Sequence, residues 1–219
     1  MSYATLQVRW HATTCFAQIH RPDAGNAINA TLLAELTELL VRADAGDTTV
    51  VVLEGLPEVF CFGADFGVIR DAARAGEPAA ADPALLYDVF HRLAFGRYMT
   101  VAHVRGKANA GGVGLAAACD VVLADASAAF SLSEMVFGLI PAVVLPFLIR
   151  RIGVARAHYL AATTQTIDVA RAHAWGLVDA HEPASELLVR RNLVRLGRLS
   201  KKAIERYKRY LGELSAIPE

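Results

Sequence analysis

Three cysteines in 219 residues, Cys15, Cys61 and Cys119, are too few, too odd in number and too widely spaced for a disulfide framework, and they fit reduced core thiols. Net charge is missing as well. Lys and Arg total 22 and so do Asp and Glu, so no sustained field favours nucleic acid or an anionic membrane. No charged-then-apolar leader opens the chain. The longest apolar run, Leu139 to Ile149, is too short to span a bilayer and holds Pro141 and Pro146. His103 and His158 stand without metal-ligand spacing and read as ordinary core or helix-surface histidines. These absences lead to an expectation of a cytoplasmic globule with no metal, no nucleic acid and no membrane to bind. An apolar fraction of 54% supports one sizeable core.

What is present is organised around Val101 to Asp120, V-A-H-V-R-G-K-A-N-A-G-G-V-G-L-A-A-A-C-D. A short apolar strand, Val101 to Val104, runs into Gly106. Gly111, Gly112 and Gly114 then open an Ala-rich, helix-favouring run from Leu115 to Cys119. Glycine early in a helix lets unpaired N–H groups and the positive end of the helix dipole face a developing negative charge. The same glycines also suit close strand-to-helix packing with no ligand. The spacing speaks against a nucleotide loop, because Lys107 precedes the glycine pair instead of following it.

Along the chain, Leu6 to Trp10 and Thr14 to Ile19 predict an antiparallel hairpin, and Arg21 to Asn26 a turn. Asn29 or Thr31 is placed to cap a helix whose Leu32, Leu33, Leu36, Leu39 and Leu40 share one face. Thr48 to Leu53 reads as a strand buried on both faces. Val59 to Phe66 repeats the strand, glycine, helix pattern, with a helix expected from Asp65. Ala72 to Pro83 has loop composition, and Tyr87 to Gly96 resumes a helical pattern. Val121 to Ala124 and Ala129 to Ser131 are short strands, and Pro141 suits the first turn of a helix reaching Arg151. Helices follow over Val154 to Thr163 and, capped by Asp168, to Trp175. A last strand is expected at Gly176 to Asp179, then two helices between Ala184 and Leu214. Residues 1–182 form the expected core, and 183–219 a C-terminal helical segment of the same structural unit. The basic stretch from Arg190 to Tyr210 reads as a solvated helix face or as a docking surface for an acidic carrier.

Five segments taken together carry a family likeness: R-P-D-A-G-N-A-I-N (Arg21 to Asn29), F-C-F-G-A-D-F (Phe60 to Phe66), G-K-A-N-A-G-G-V-G-L-A-A-A-C-D (Gly106 to Asp120), F-S-L-S-E-M-V-F-G-L-I-P (Phe130 to Pro141) and A-W-G-L-V-D (Ala174 to Asp179). In this order and spacing they resemble the crotonase, or enoyl-CoA hydratase/isomerase, superfamily over nearly the whole chain. The chain is most similar to the polyketide-pathway members that insert β-branches, and among these to the dehydratase that converts 3-hydroxy-3-methylglutaryl on an acyl carrier protein into 3-methylglutaconyl. The resemblance implies an α/β fold, a crotonase-like spiral of β-β-α units with a C-terminal helical region, assembled as a trimer or a dimer of trimers. It also implies no tightly bound cofactor, the substrate arriving on the phosphopantetheine of an acyl carrier protein or on CoA. Glu219 falls short of the usual family length, so helices that close the pocket or the trimer are expected to be affected.

By motif position, the N–H groups of Ala64 and Gly111 would hold the oxygen of a thioester enolate. Hydratases of the superfamily commonly use two glutamates. Here Glu134 matches the second, while the first falls on Gly114. Glu134 therefore acts alone or shares the work, with Asp65 a second candidate that serves equally as a helix N-cap. A distal substrate carboxylate would meet Tyr87, His91 or Arg92, or Lys107 and Asn109 beside the oxyanion helix, with Gly112 lining that turn. Each of these also reads as surface or packing. Competing readings are the decarboxylase of the same pathway, a CoA-thioester enzyme of general metabolism, and a non-catalytic assembly partner.

Overall fold

A computed structural model of the chain describes residues 3–64 and 82–214. Asp65, the helix expected from it, and most of the 72–83 segment lie outside the described residues. Strands β1 (Leu6–His11) and β2 (Thr14–Ile19) form the expected antiparallel hairpin, Leu6 facing Ile19. Helix α1 (Ala30–Ala45) follows, and of the two residues offered as its cap it is Asn29 whose side chain accepts from Leu32 N at 2.9 Å. Its leucines are buried on one face, as their spacing requires.

From β3 onward each unit contributes one strand to each of two sheets before a helix crosses over. Strands β3 (Val50–Glu54) and β4 (Val59–Cys61) precede α2 (Pro83–Phe95); β5 (Met99–Val104) and β6 (Lys107–Asn109) precede α3 (Gly111–Ala118); β7 (Val121–Ala124) and β8 (Ala129–Ser131) precede α4 (Leu145–Thr163). With β9 (Ile167–Asp168) and β10 (Ala180–His181), the large sheet has the order β1-β2-β3-β5-β7-β10 and the small one β4-β6-β8-β9. This is the expected spiral of β-β-α units. Helices α5 (Val169–Trp175), α6 (Ser185–Leu196) and α7 (Lys201–Leu214) complete the described chain.

The near-continuous apolar runs in β3 and β5 follow from burial on both faces. Val51 and Leu53 point into the main core with α1 to α4, while Val50, Val52 and Val101 meet Leu188 and Val189 of α6 on the other side. Each of those α6 side chains contributes about 1.5 to 3 kcal/mol by leaving water. His103, buried as expected, docks α6 through Nε2 to Ser185 Oγ at 2.9 Å and reaches Glu54 Oε1 of β3 through Nδ1 at 3.2 Å. The three thiols are buried and unpaired, and burial pushes each up to about 12.

Several boundaries differ from expectation. Helix α2 begins four residues before Tyr87, because Asp82 accepts from Ala84 N and Pro83 suits the first turn. Pro141 sits in a turn ahead of α4, its carbonyl taking Val144 N and Leu145 N, and Pro146 occupies the first helical turn instead. The strand expected at Gly176 to Asp179 is a turn closing α5, and β10 lies just beyond it. Among the described residues no helix is long and apolar enough to cross a membrane.

Candidate active site

Two glycine-broken turns meet at the ends of β4 and β6, neighbouring strands of the small sheet. Gly63 follows β4 with φ +80°, a conformation side chains resist, and a Cβ there would lie 2.8 Å from Asn109 O and 3.1 Å from Gly111 N. The turn before Ala64 therefore lies directly on the start of α3. Gly63 O accepts Ile28 N at 2.8 Å, which fixes the Ala64 peptide next to the bridge between Ile28 and Ala64. At the other turn, Ala110 is held at φ 50° and ψ −118° by its N–H on Ser131 O and by Val113 N and Gly114 N on its carbonyl. Such backbone costs about 1 to 3 kcal/mol and persists only where its surroundings enforce it. All eight residues of α3 are buried, so its positive end is delivered without competing side-chain charge.

Glu134 opens a 3-10 turn (Glu134–Phe137) and is 6% exposed. Its Oε2 is buried and has no hydrogen-bond partner among the described residues. Desolvation raises its pKa above the ordinary 4.5, opposed by the backbone N–H groups of Glu134 and Ser133. A carboxyl so placed holds its proton more tightly than a solvated one does. Position 114, where a second glutamate would stand, is closed. A Cβ on Gly114 would come 2.3 Å from Phe90 Cε2 and 3.1 Å from Val144 Cγ2. Phe90 itself is fixed edge-on against Phe147, with ring centroids 5.5 Å apart.

A cavity of about 710 Å³ is lined among others by Ala24, Gly25, Phe62, Ala64, Asn109 and Ser133, while Glu134 and Gly111, next in the chain to Ser133 and Ala110, do not line it. It brings two of the expected site residues, Ala64 and Asn109, onto one surface. Gly112 is buried beneath it against the Cys61 carbonyl, with only 2.1 Å for a Cβ, so it packs the turn instead of lining the cavity. Lys107 is exposed at the start of β6 and Gly111 buried at the start of α3. Tyr87, His91 and Arg92 do not line the cavity. Arg92 pairs with Asp88 at 2.6 Å, and His91 faces the groove between α2 and α7 with Phe95 4.7 Å away. Tyr87 packs on Phe147 at 5.6 Å, one ring from Phe90. The amide of Asn109 is spent within the protein, on Phe62 O, Ser133 Oγ and Ser131 Oγ. Sequence reasoning missed Ser131 and Ser133, although their alternation in F-S-L-S-E marks one strand face.

A family model described as enoyl-CoA hydratase/isomerase matches residues 9–216. The chain belongs to that family. It is an enzyme of the hydratase, or hydro-lyase, type. It is 50% identical over 214 residues to the bacillaene synthase dehydratase PksH of Bacillus subtilis, covering 98% of this chain and 83% of the relative. A crystal structure of the Bacillus subtilis protein described as a polyketide biosynthesis enoyl-CoA hydratase superposes with a TM-score of 0.93 at 50% identity, over 97% of this chain and 85% of that one. AtuE of Pseudomonas aeruginosa follows with a TM-score of 0.88 at 30% identity, over 98% and 85%.

Proposed function

We propose that the chain dehydrates 3-hydroxy-3-methylglutaryl to 3-methylglutaconyl on an acyl carrier protein, in polyketide β-branching. The observation that carries this reading is half-identity over 98% of the chain to a dehydratase of a polyketide synthase. The one-carboxylate site agrees with it. The C2 proton beside the thioester passes to the Glu134 carboxylate, and the enolate oxygen takes the N–H groups of Ala64 and Gly111. The same proton then moves from Glu134 to the C3 hydroxyl, the C3–O bond breaks, and the C2=C3 bond forms as water leaves. Binding charge that exists only after proton removal lowers the barrier, and one oxyanion donor is typically worth about 2.7 to 4 kcal/mol. One carboxyl serving both steps requires both bonds to break on the same face of the substrate. Position 114, closed by Phe90, supplies no second acid.

Of the residues expected to meet the distal carboxylate, Asn109 lines the cavity, with its amide committed within the protein, while Tyr87, His91, Arg92 and Lys107 do not line it. Homo-oligomerisation as a trimer or hexamer is part of the same reading. It is supported by apolar side chains left exposed on α7, Tyr207, Tyr210, Leu211 and Leu214, and along Met135 to Ile140 after Glu134. A cytoplasmic site of action accompanies a carrier-bound substrate.

The test is to incubate the protein with 3-hydroxy-3-methylglutaryl on carrier protein and to weigh the acyl group. Loss of water is expected. Loss of carbon dioxide from the dehydrated product would assign the decarboxylating step. Turnover of CoA thioesters in preference to carrier thioesters would move the enzyme to general metabolism.

A further inference from the structure

Asn109 is 8% exposed, and both N–H donors of its amide are committed. Nδ2 donates to Phe62 O at 3.3 Å and to Ser133 Oγ at 2.9 Å, and Oδ1 accepts from Ser131 Oγ at 2.8 Å. Each partner borders a different part of the reacting constellation. Phe62 adjoins the Gly63–Ala64 turn, Ser133 adjoins Glu134, and Asn109 itself stands two residues before Gly111. The backbone already joins Asn109 to Ser131 through the β6–β8 pairing and through Ala110 N on Ser131 O. At Phe62 and Ser133 it is the side chain that makes the bridge. Ser133 precedes the 3-10 turn yet makes no side-chain cap to it, so its hydroxyl is not competing for that role. The Ser133 N–H in turn favours the Glu134 carboxylate.

We infer that Asn109 is a positioning residue whose amide sets the separation between the two oxyanion donors and the Glu134 carboxylate. The inference rests on the dehydratase reading for which atoms react. Asn109 touches no reacting atom in that scheme and acts through Phe62 and Ser133. An apolar side chain of similar size would fill the volume and leave Phe62 O and both serine hydroxyls without this partner. A displacement of about 1 Å in a reacting group can cost about a hundredfold in rate, so the loss should fall on kcat.

The experiment compares full-length Asn109→Leu, Ser133→Ala and the double variant with the unaltered enzyme on the carrier-bound substrate. Gln18→Leu, which removes the Gln18 bond to Gly55 O outside the site, serves as the control for losing a half-buried amide. Asn109→Leu is expected to lower kcat by about ten- to a hundredfold with KM held within about threefold. The double variant should be no more than about twofold slower than Asn109→Leu alone, because both changes cut the same link. Gln18→Leu should keep kcat per folded molecule.

A readout independent of turnover is the carboxyl titration of Glu134 by carbon-13 NMR, assigned with Glu134→Gln. It should move upward in Asn109→Leu as Ser133 is released from the carboxylate. A rise in KM at constant kcat, losses that multiply in the double variant, or an unmoved Glu134 titration would each overturn the inference. If the unaltered enzyme leaves the carrier-bound substrate intact, the dehydratase reading fails while the NMR titration still decides the positioning role.

Discussion

Asp120 and Glu134 are both largely buried carboxylates, and the chain treats them oppositely. Asp120 Oδ2 takes Thr100 N at 2.7 Å, Thr100 Oγ1 at 3.0 Å and Lys208 Nζ at 2.8 Å. Lys208, 1% exposed, also donates to Leu93 O and Tyr98 O, so this one cluster ties α7 to the end of α2 and the start of β5. Glu134 has only nearby backbone N–H groups to favour its charge, and one oxygen is left without a partner among the described residues. The satisfied carboxylate holds the fold together. The unsatisfied one retains a proton affinity suited to chemistry, at a cost in stability.

Breaking the chemical side of this contrast should give the largest effect. Glu134→Gln keeps size and shape but can neither take nor return a proton, and dehydration should fall by about 10²- to 10⁴-fold with far-ultraviolet circular dichroism unchanged. Turnover within a few-fold of the unaltered enzyme would remove Glu134 from the mechanism. Breaking the structural side comes next. Lys208→Met strands Asp120 and two carbonyls, and should cost about 3 to 5 kcal/mol in denaturant unfolding. Adding Asp120→Asn should recover most of that loss, since the uncompensated charge is then gone. A single variant that unfolds at the same denaturant concentration as the parent would show that the buried pair contributes little.

A smaller effect should come from trying to make position 114 resemble position 134. Gly114→Glu alone drives a side chain into Phe90, and overpacking of this kind costs about 1 to 3 kcal/mol. Paired with Phe90→Ala it should regain a large part of that stability, and the thermal unfolding midpoints of the single and double variants measure the difference. If Gly114→Glu is tolerated with Phe90 in place, the ring does not bar the second carboxylate.

Much of the scaffold was legible because its signals are local. Thr14 to Ile19, Val121 to Ala124 and Ala129 to Ser131 were placed by apolar runs between turn residues, and Asp168 by its capping role, confirmed in the 2.8 Å bond from Arg171 N. Strands β6 and β9, three and two residues long, carry no period to read and were missed. In the site, motif position points to Ala64, Gly111 and Glu134, and the turns that carry Ala64 and Gly111 lie against each other. The reason position 114 lacks a glutamate was not legible, because Phe90 and Val144 reach it from other helices. Local spacing leaves the Asn109 amide open between substrate contact and packing, because its partners lie 22 to 47 residues away.

The finest test of the contrast is the pH dependence of stability at Glu134. Its folded pKa is raised above 4.5 by desolvation, so the folded state binds this proton more tightly than the unfolded chain does. The resulting stabilisation is fully present below the unfolded value and is lost as pH rises through the folded pKa. At neutral pH the ionised carboxylate therefore works against folding, and Glu134→Gln, which carries no charge at any pH, should unfold at a higher temperature than the parent. On acidification past the raised pKa toward 4.5 that advantage should shrink, because the parent takes up its proton and comes to resemble the variant. An advantage that stays constant across this window would mean that desolvation of the charge is not what separates Glu134 from Asp120.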